Sequence, residues 1–400
     1  MSSSLNWVDF AEEDRQRIRE VLYLFRDKEI VEELGIGTVR DAFSDIFFPG
    51  TSTLHTRAKY MLFVPWIFLI RERRQTPSNK IEEFSRWDEI NLTTSLIDSG
   101  ETDGVIGRRA RERLKMLPSL MYWSGLGVWG IRKFQGAIDQ YFRSLDDYYK
   151  YKDRIAGSDS ESPLSNIQHN WDPHIVKPPD NFPKKATLKL SYNEAEYLRD
   201  KIKTNCRKSL LAFLVGGTEP VHVDFIWEHP QYGDFKNQHK EILKHARNFS
   251  EVLYGASLLY NWMLSQKRGN EEWIDKYEHK IKSWANEINN RFHEIQSWDL
   301  SELWRIVLEQ NNRIPYFTRR FIENWIDLVQ STKNLEEIYD NKNARKLIYQ
   351  RESRIKGGRS RLKNKSMLMK WTGTSGAYKQ DFRWGTVQRI LNDILKGLKR

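Results

Sequence analysis

The run from Tyr60 to Ile70 is apolar on every side of any helix it could form. Such a segment is buried from several directions, and it is too short to span a bilayer. The residues before it are nearly as constraining. Val39, Phe43, Ile46 and Phe47 recur at helical spacing and define one apolar face. Pro49-Gly50 then breaks the chain, and Thr51 or Ser52 can cap the next helix. The spacing predicts a helix over 38–48, a sharp turn, and a buried helix over 52–73. Arg40, Asp41, Arg57 and Lys59 are expected at its polar edges, and Arg71, Arg73 and Arg74 at its exit to solvent or a ligand.

A chain of 400 residues exceeds the usual size of one hydrophobic core, so two or three domains are expected. Apolar residues are only 39%, but 15 Trp, 17 Tyr and 19 Phe can anchor a core that aliphatics alone would not. Cys206 is the single cysteine, which rules out an intramolecular disulfide or a multi-thiolate metal site and fits a reducing, cytoplasmic compartment. Met1 to Glu13 is polar and acidic where a signal peptide would be apolar.

The net charge of +11 is unevenly spread: residues 341–400 hold 17 Lys or Arg against 3 acids. A concentrated positive field points to a polyanion, usually nucleic acid, or else to a basic, solvated end or an acidic protein partner.

Helical patterns fill most of the remaining chain. Asp9 can cap a helix over 12–26 with Ile18, Val21, Leu22 and Phe25 on one face, and a shorter helix runs from Asp27 to Leu34. Further helices are predicted over 80–97, 132–153, 191–203, 206–215, 236–247, 249–266, 270–293, 299–310 and 316–329. Ser191 and Glu194 form a capping box. Trp273, Tyr277, Ile281, Trp284 and Ile288 make a core stripe, and Val221, Val223 and Phe225 alternate like a short strand. Residues 156–187, with Pro163, Pro173, Pro178, Pro179 and Pro183, read as a linker laid along the surface. The expected organisation is an N-terminal helical domain (1–155), a Pro/Ser-rich connector (156–190), a central helical domain (191–340) and a basic C-terminal module (341–400). The fold class is mainly α: multi-helical bundles, a winged-helix-like element, and a small basic module.

Two stretches are candidates for nucleic-acid contact. In the first, Arg108, Arg109, Arg111, Arg113 and Lys115 precede Pro118, and 126–134 could be a small strand or turn. This order suits a winged-helix or helix-turn-helix core whose basic residues face phosphates. It equally suits a helical hairpin whose arginines pair with Asp41, Asp45 or Glu72. The second is the basic end. Arg345, Lys346, Arg351, Arg354 and Lys356 lie on a predicted helix to about Ile355, which Gly357-Gly358 ends. Arg359, Arg361, Lys363, Lys365 and Lys370 come next, so the glycine-arginine turn could wrap a phosphate. The turn Trp371 to Gly376 offers backbone donors, and Tyr378, Phe382 and Trp384 interleave with Lys379 and Arg383 as in phosphate contact with base stacking. A last helix, 386–398, has Val387, Ile390, Leu391, Ile394 and Leu398 on one face and needs something to pack on.

Catalytic signals are weak. His222, Asp224 and His229 are the best local metal set, but no metalloprotease-type spacing accompanies them. Glu278 and Lys280 match half of a nuclease pair on a helical pattern, where that chemistry wants a strand. Cys206 beside Arg207 and Lys208 would have a lowered pKa, although a lone cysteine in a helix is more often packing. No cofactor is expected.

The motifs Leu5 to Phe10, Phe48 to Trp66, Gly104 to Gly107, Tyr122 to Leu126, and Trp371 to Gly376 with Arg383-Trp384 resemble those of a family of uncharacterised bacterial proteins of about this length. The resemblance covers most of the chain. It implies gene neighbourhoods for defence against phages, beside a helicase-like ATPase and a phospholipase-D-like nuclease protein. It implies no catalytic residue. The expectation is a non-catalytic, nucleic-acid-binding accessory subunit of such a system, or a helical scaffold docking those partners, with a metal-dependent nuclease a weaker third.

Overall fold

The structure, a computed structural model, describes residues 34–156, 169–311 and 313–400. The expected helix over 12–26, that over 27–34 apart from Leu34, and residues 157–168 of the connector lie outside the described residues. The fold is mainly helical, and among the described residues β pairing is limited to a bridge between Arg132 and Trp171. The chain forms two compact units, each assembled from separated stretches. Of the described residues, 47–156, 169–223 and 383–400 belong to the first unit, and 34–46, 224–311 and 313–382 to the second.

The first unit is built around the helix Tyr60–Arg73, in which every residue from Tyr60 to Phe68 is buried, Pro65 included. The helix begins with its apolar run at Tyr60 and not at the cap expected near residue 52, because residues 51–59 form turns in which Thr51, His55, Ala58 and Lys59 are buried. Gly50 takes φ +75, and a Cβ there would lie 2.6 Å from the Trp129 ring, so the sharp reversal requires glycine. Tyr122 Oη accepts from the backbone N–H groups of Thr56 and Arg57 at 2.8 and 3.2 Å, and the ring stacks on His55 at 4.0 Å. Of the charges expected at polar edges or at the exit, Arg40 and Asp41 pair with each other half-exposed and Arg73 and Arg74 are exposed, while Arg57, Lys59 and Arg71 are paired at buried or part-buried positions. Arg57 forms a forked pair with Asp393, Lys59 pairs with Glu194, and Arg71 donates twice to Asp88 at 2.6 Å.

The helices Ile81–Asp98 and Pro118–Val128 pack on this core. The described part of the connector docks on it in an extended path. Trp66 Nε1 donates to the Val176 carbonyl at 2.6 Å, and Phe182 stacks on Phe63 at 5.5 Å. Trp171 stacks on Phe68 at 5.7 Å. The helix predicted over 132–153 runs Ile138–Ala156, since Arg132 to Phe134 turn against Trp171 and Asn170. The capping box of Ser191 and Glu194 opens the helix Tyr192–Asn205, and the closing helix Trp384–Gly397 packs against that helix.

No strand forms at 221–225 because the partner is a helix. Val221 exchanges both backbone hydrogen bonds with the Asn392 amide, at 3.0 and 2.8 Å. Val223 donates to Gln388 at 2.8 Å and accepts from Trp384 Nε1 at 3.0 Å. Side chains at helical spacing thus satisfy an extended backbone that would otherwise need a sheet.

The second unit surrounds one helix, Asn237–Arg268, that runs unbroken through the gap expected at residue 248. Its buried Ser250 and Asn261 are tolerated because each hydrogen-bonds a neighbouring segment: Ser250 donates to Gln380 and Asn261 to Ser375. The helix Glu271–Asn290 folds back on it, burying Tyr277, Ile281, Trp284 and Ile288 of the expected stripe and leaving Trp273 half-buried. Trp284 lies over Gly255, where a Cβ would come within 2.2 Å of the indole. The helices Tyr316–Ser331 and Lys342–Lys356 complete the packing.

Candidate nucleic-acid interface

The basic end divides between the units: residues 341–382, with 12 Lys or Arg and 2 acids, lie in the second, and 383–400 in the first. The side chains proposed for polyanion contact also divide, into those used by the fold and those left at the surface.

Arg351 is buried and works as a structural pin. Its guanidinium donates to the Leu34, Gly35 and Phe317 carbonyls at 2.8, 3.0 and 3.0 Å and to Thr318 Oγ1 at 2.8 Å. Arg361 is buried as well and donates to Ser375 Oγ. Arg345 donates to Gln266 at 2.6 Å and lies over Trp262, while Lys379 pairs with Glu287 at 2.6 Å. Arg383, in the first unit, donates to the Thr51 carbonyl at 2.9 Å. Lys356 is half-buried over the Tyr260 ring. Burial, with Arg361 and Arg359 nearby, pushes its pKa down to about 7. These six are occupied inside the protein. Lys346, Arg354, Arg359, Lys363, Lys365 and Lys370 are exposed.

The glycine-arginine turn does not present an open phosphate cradle. Glu352, fully buried on the preceding helix, accepts from the Arg361 backbone N–H at 2.6 Å and from Ser360 Oγ. Tyr260 Oη adds a longer contact to the same carboxylate at 3.4 Å. The Glu352 carboxyl therefore occupies two of the donors that the glycine-arginine pattern offers to a ligand, the Arg361 N–H and the Ser360 hydroxyl. The Trp371–Gly376 turn is likewise engaged: Ser375 donates its N–H to Asn261 at 2.7 Å, and Tyr277 Oη donates to the Gly373 carbonyl at 2.7 Å.

Phe382 and Trp384, expected as stacking rings, are buried core residues, and only Tyr378 of that trio is exposed. The structure exposes other rings instead. Tyr316 is 65% exposed and Phe317 53%, and they pack edge to face at 5.4 Å. The Arg354 guanidinium lies 3.7 Å from the Phe317 centroid, and Lys363 sits over the exposed Tyr349 ring. A sequence signal existed for the first pair. The buried stripe of the helix Tyr316–Ser331 is Phe321, Ile322, Trp325, Ile326 and Val329, and Tyr316-Phe317 precede it directly after Pro315.

In the first unit, 103–117 consists of turns and one short 3-10 helix, Arg111–Arg113, rather than the start of a helix. Arg108, Arg109 and Arg113 are exposed, and Arg108 donates to the Thr102 carbonyl at 3.3 Å. Glu72, one acceptor considered for these arginines, is buried elsewhere. One of its oxygens accepts from Tyr141, Asn170 and Trp171 at 2.7, 3.1 and 3.1 Å. Residues 126–134 form a helix end and a turn. Arg73 and Arg74 line a cleft of about 290 Å³ between their helix and Pro178–Pro183.

Among the described residues, no group of three His, Cys, Asp or Glu is placed to hold a metal ion. Glu278 accepts from Trp262 Nε1 at 3.2 Å on a regular helix. Cys206 is buried, and burial pushes its thiol up to about 11, the opposite of the shift expected from Arg207 and Lys208. Desolvation of the thiolate outweighs two side chains that point to solvent. No described helix is long and apolar enough to cross a membrane.

These features define a mainly helical, multi-helix protein whose second unit exposes both cationic and aromatic side chains. The chain belongs to the Family of unknown function (DUF6361), whose model matches residues 1–397. No curated protein and no solved structure matches it.

Proposed function

We propose that this protein is a non-catalytic, nucleic-acid-binding accessory subunit of a bacterial anti-phage defence system, acting in the cytoplasm beside a helicase-like ATPase and a phospholipase-D-like nuclease. The observation that carries the reading is the exposed set Lys346, Arg354, Arg359, Lys363, Lys365 and Lys370 in the second unit. These cations stay exposed where Arg345, Arg351, Lys356, Arg361 and Lys379 of the same segment have partners within the protein, and exposed rings lie on that segment too. Phosphate neutralisation by such a set releases counterions, so affinity should fall steeply with salt. The defence role and the two partners rest on the family resemblance.

The test is fluorescence anisotropy with labelled DNA and RNA at two salt concentrations, comparing the wild type with a variant carrying glutamine at all six positions. Binding that weakens with salt and is lost in the variant supports the reading. Equal binding by both proteins, or none by either, would sink it.

A second reading is a helical scaffold that docks the helicase or nuclease partner without touching nucleic acid. It is favoured by Trp87, 61% exposed on the helix Ile81–Asp98, three residues after the exposed Phe84. A purified pair that persists with wild-type protein and dissociates with Trp87→Ala would support it.

A further inference from the structure

We infer that the ligand of the second unit is single-stranded nucleic acid, held by base stacking on Tyr316, Phe317 and Tyr349 beside the exposed cations; this rests on the nucleic-acid reading above.

Duplex readers project a helix or ribbon whose Arg, Asn, Gln or Lys side chains reach base edges in a groove. The helix Lys342–Lys356 buries Ala344, Ile348, Arg351 and Glu352 in the unit and leaves Lys346, Tyr349 and Arg354 exposed. The second unit also exposes flat rings at Tyr316 and Phe317. Tyr316 and Phe317 occupy the first two positions of the helix Tyr316–Ser331, outside its buried stripe, and more than half of each is exposed. Neither ring belongs to the buried core of the unit. Unpaired bases stack on such rings, whereas paired bases within a duplex are shielded by their neighbours. The Arg354 guanidinium lies over the Phe317 ring at 3.7 Å, so a base on that side stacks on the guanidinium plane, with its cation next to the adjoining phosphate. The Lys363–Tyr349 pair repeats the arrangement with another exposed ring. Each pair can hold one base and one adjacent phosphate, the recurring unit of a single strand. Stacking reads no base edge, so the surface should accept DNA and RNA without strong sequence preference.

The test uses the full chain with labelled oligothymidine, oligouridine and a mixed-sequence duplex of matched length. Both single strands should bind about tenfold or more tightly than the duplex. Tyr316→Ala with Phe317→Ala should weaken single-strand binding roughly tenfold, with the duplex affinity and the salt slope unchanged. Tyr349→Ala should act in the same direction. Phe317→Leu keeps the apolar volume and removes the flat ring, so it should match Phe317→Ala, with an unaltered melting temperature confirming the fold. Duplex binding as tight as single-strand binding, or aromatic variants that bind like the wild type, would overturn this inference and leave the nucleic-acid reading standing. Absence of binding to all three probes would overturn both.

Discussion

Burial raises the Glu89 carboxyl to about 7, although Ser119 donates to it through both its N–H and its hydroxyl, at 2.8 and 2.7 Å. The folded pKa exceeds the unfolded value near 4.3. The folded state therefore keeps a proton that the unfolded chain releases, and this group's contribution falls as pH rises from about 4.3 through about 7, by up to ~4 kcal/mol. Glu89→Gln should remove that dependence. Relative to the variant, the wild type should be more stable at pH 5 than at pH 8 in thermal melts, and an identical difference at both would contradict the assignment. Arg351 makes the contrary case, a charge with all its value in structure. Arg351→Met leaves three carbonyls and a hydroxyl without their donor, and should cost about 3–5 kcal/mol in denaturant unfolding. Where the protein remains folded, its salt slope for nucleic-acid binding should match the wild type, because a buried guanidinium releases no counterion from a phosphate.

At the scale of elements, two helix surfaces have been shaped for one specific neighbour. Gly255→Ala would ordinarily stabilise a helix by about 1 kcal/mol. Here the added methyl meets the Trp284 ring at 2.2 Å, so the substitution should instead destabilise the unit by about 1–3 kcal/mol in urea unfolding. The closing helix Trp384–Gly397 acts through amides as well as apolar contacts. Gln388→Ala and Asn392→Ala would strip Val221 and Val223 of their hydrogen-bond partners. The amides of those two valines should then exchange with deuterium much faster, while the helix Tyr60–Arg73 keeps its protection. Unchanged exchange would mean that water or another group already satisfies that backbone.

For the whole molecule, the path of the chain matters more than its linear segments. The last sixty residues are shared between the units, so a chain ending at Asp340 loses more than positive charge. The first unit loses Asp393, the partner of Arg57, and the helix packed on Tyr192–Asn205. The second loses the helix Lys342–Lys356 with the Arg351 pin. Such a truncation should expose apolar surface in both, seen as dye binding and rapid proteolysis at sites outside 341–400. A truncated chain with the wild-type protease pattern would show that these contacts carry little stability. Substitution of the exposed cations is accordingly the sharper probe of binding.

Helical periodicity, the buried character of Tyr60 to Phe68, the Ser191 capping box and the stripe from Tyr277 to Ile288 were all determined by sequence alone, because each depends on neighbours within a few turns of one helix. The location of positive charge was equally plain. Which charges remain available was decided only by tertiary structure. Arg351, Arg354 and Lys356 share a helix and a chemistry, yet one is pinned to backbone carbonyls, one lies on an exposed ring and one is half-buried over Tyr260. The same holds for the aromatics: Phe382 and Trp384 look like Tyr316 and Phe317 in composition, but the first pair is core and the second is surface. Burial is a property of what packs against a residue from distant parts of the chain, and no local pattern encodes it where ring and charge alternate without a clear period.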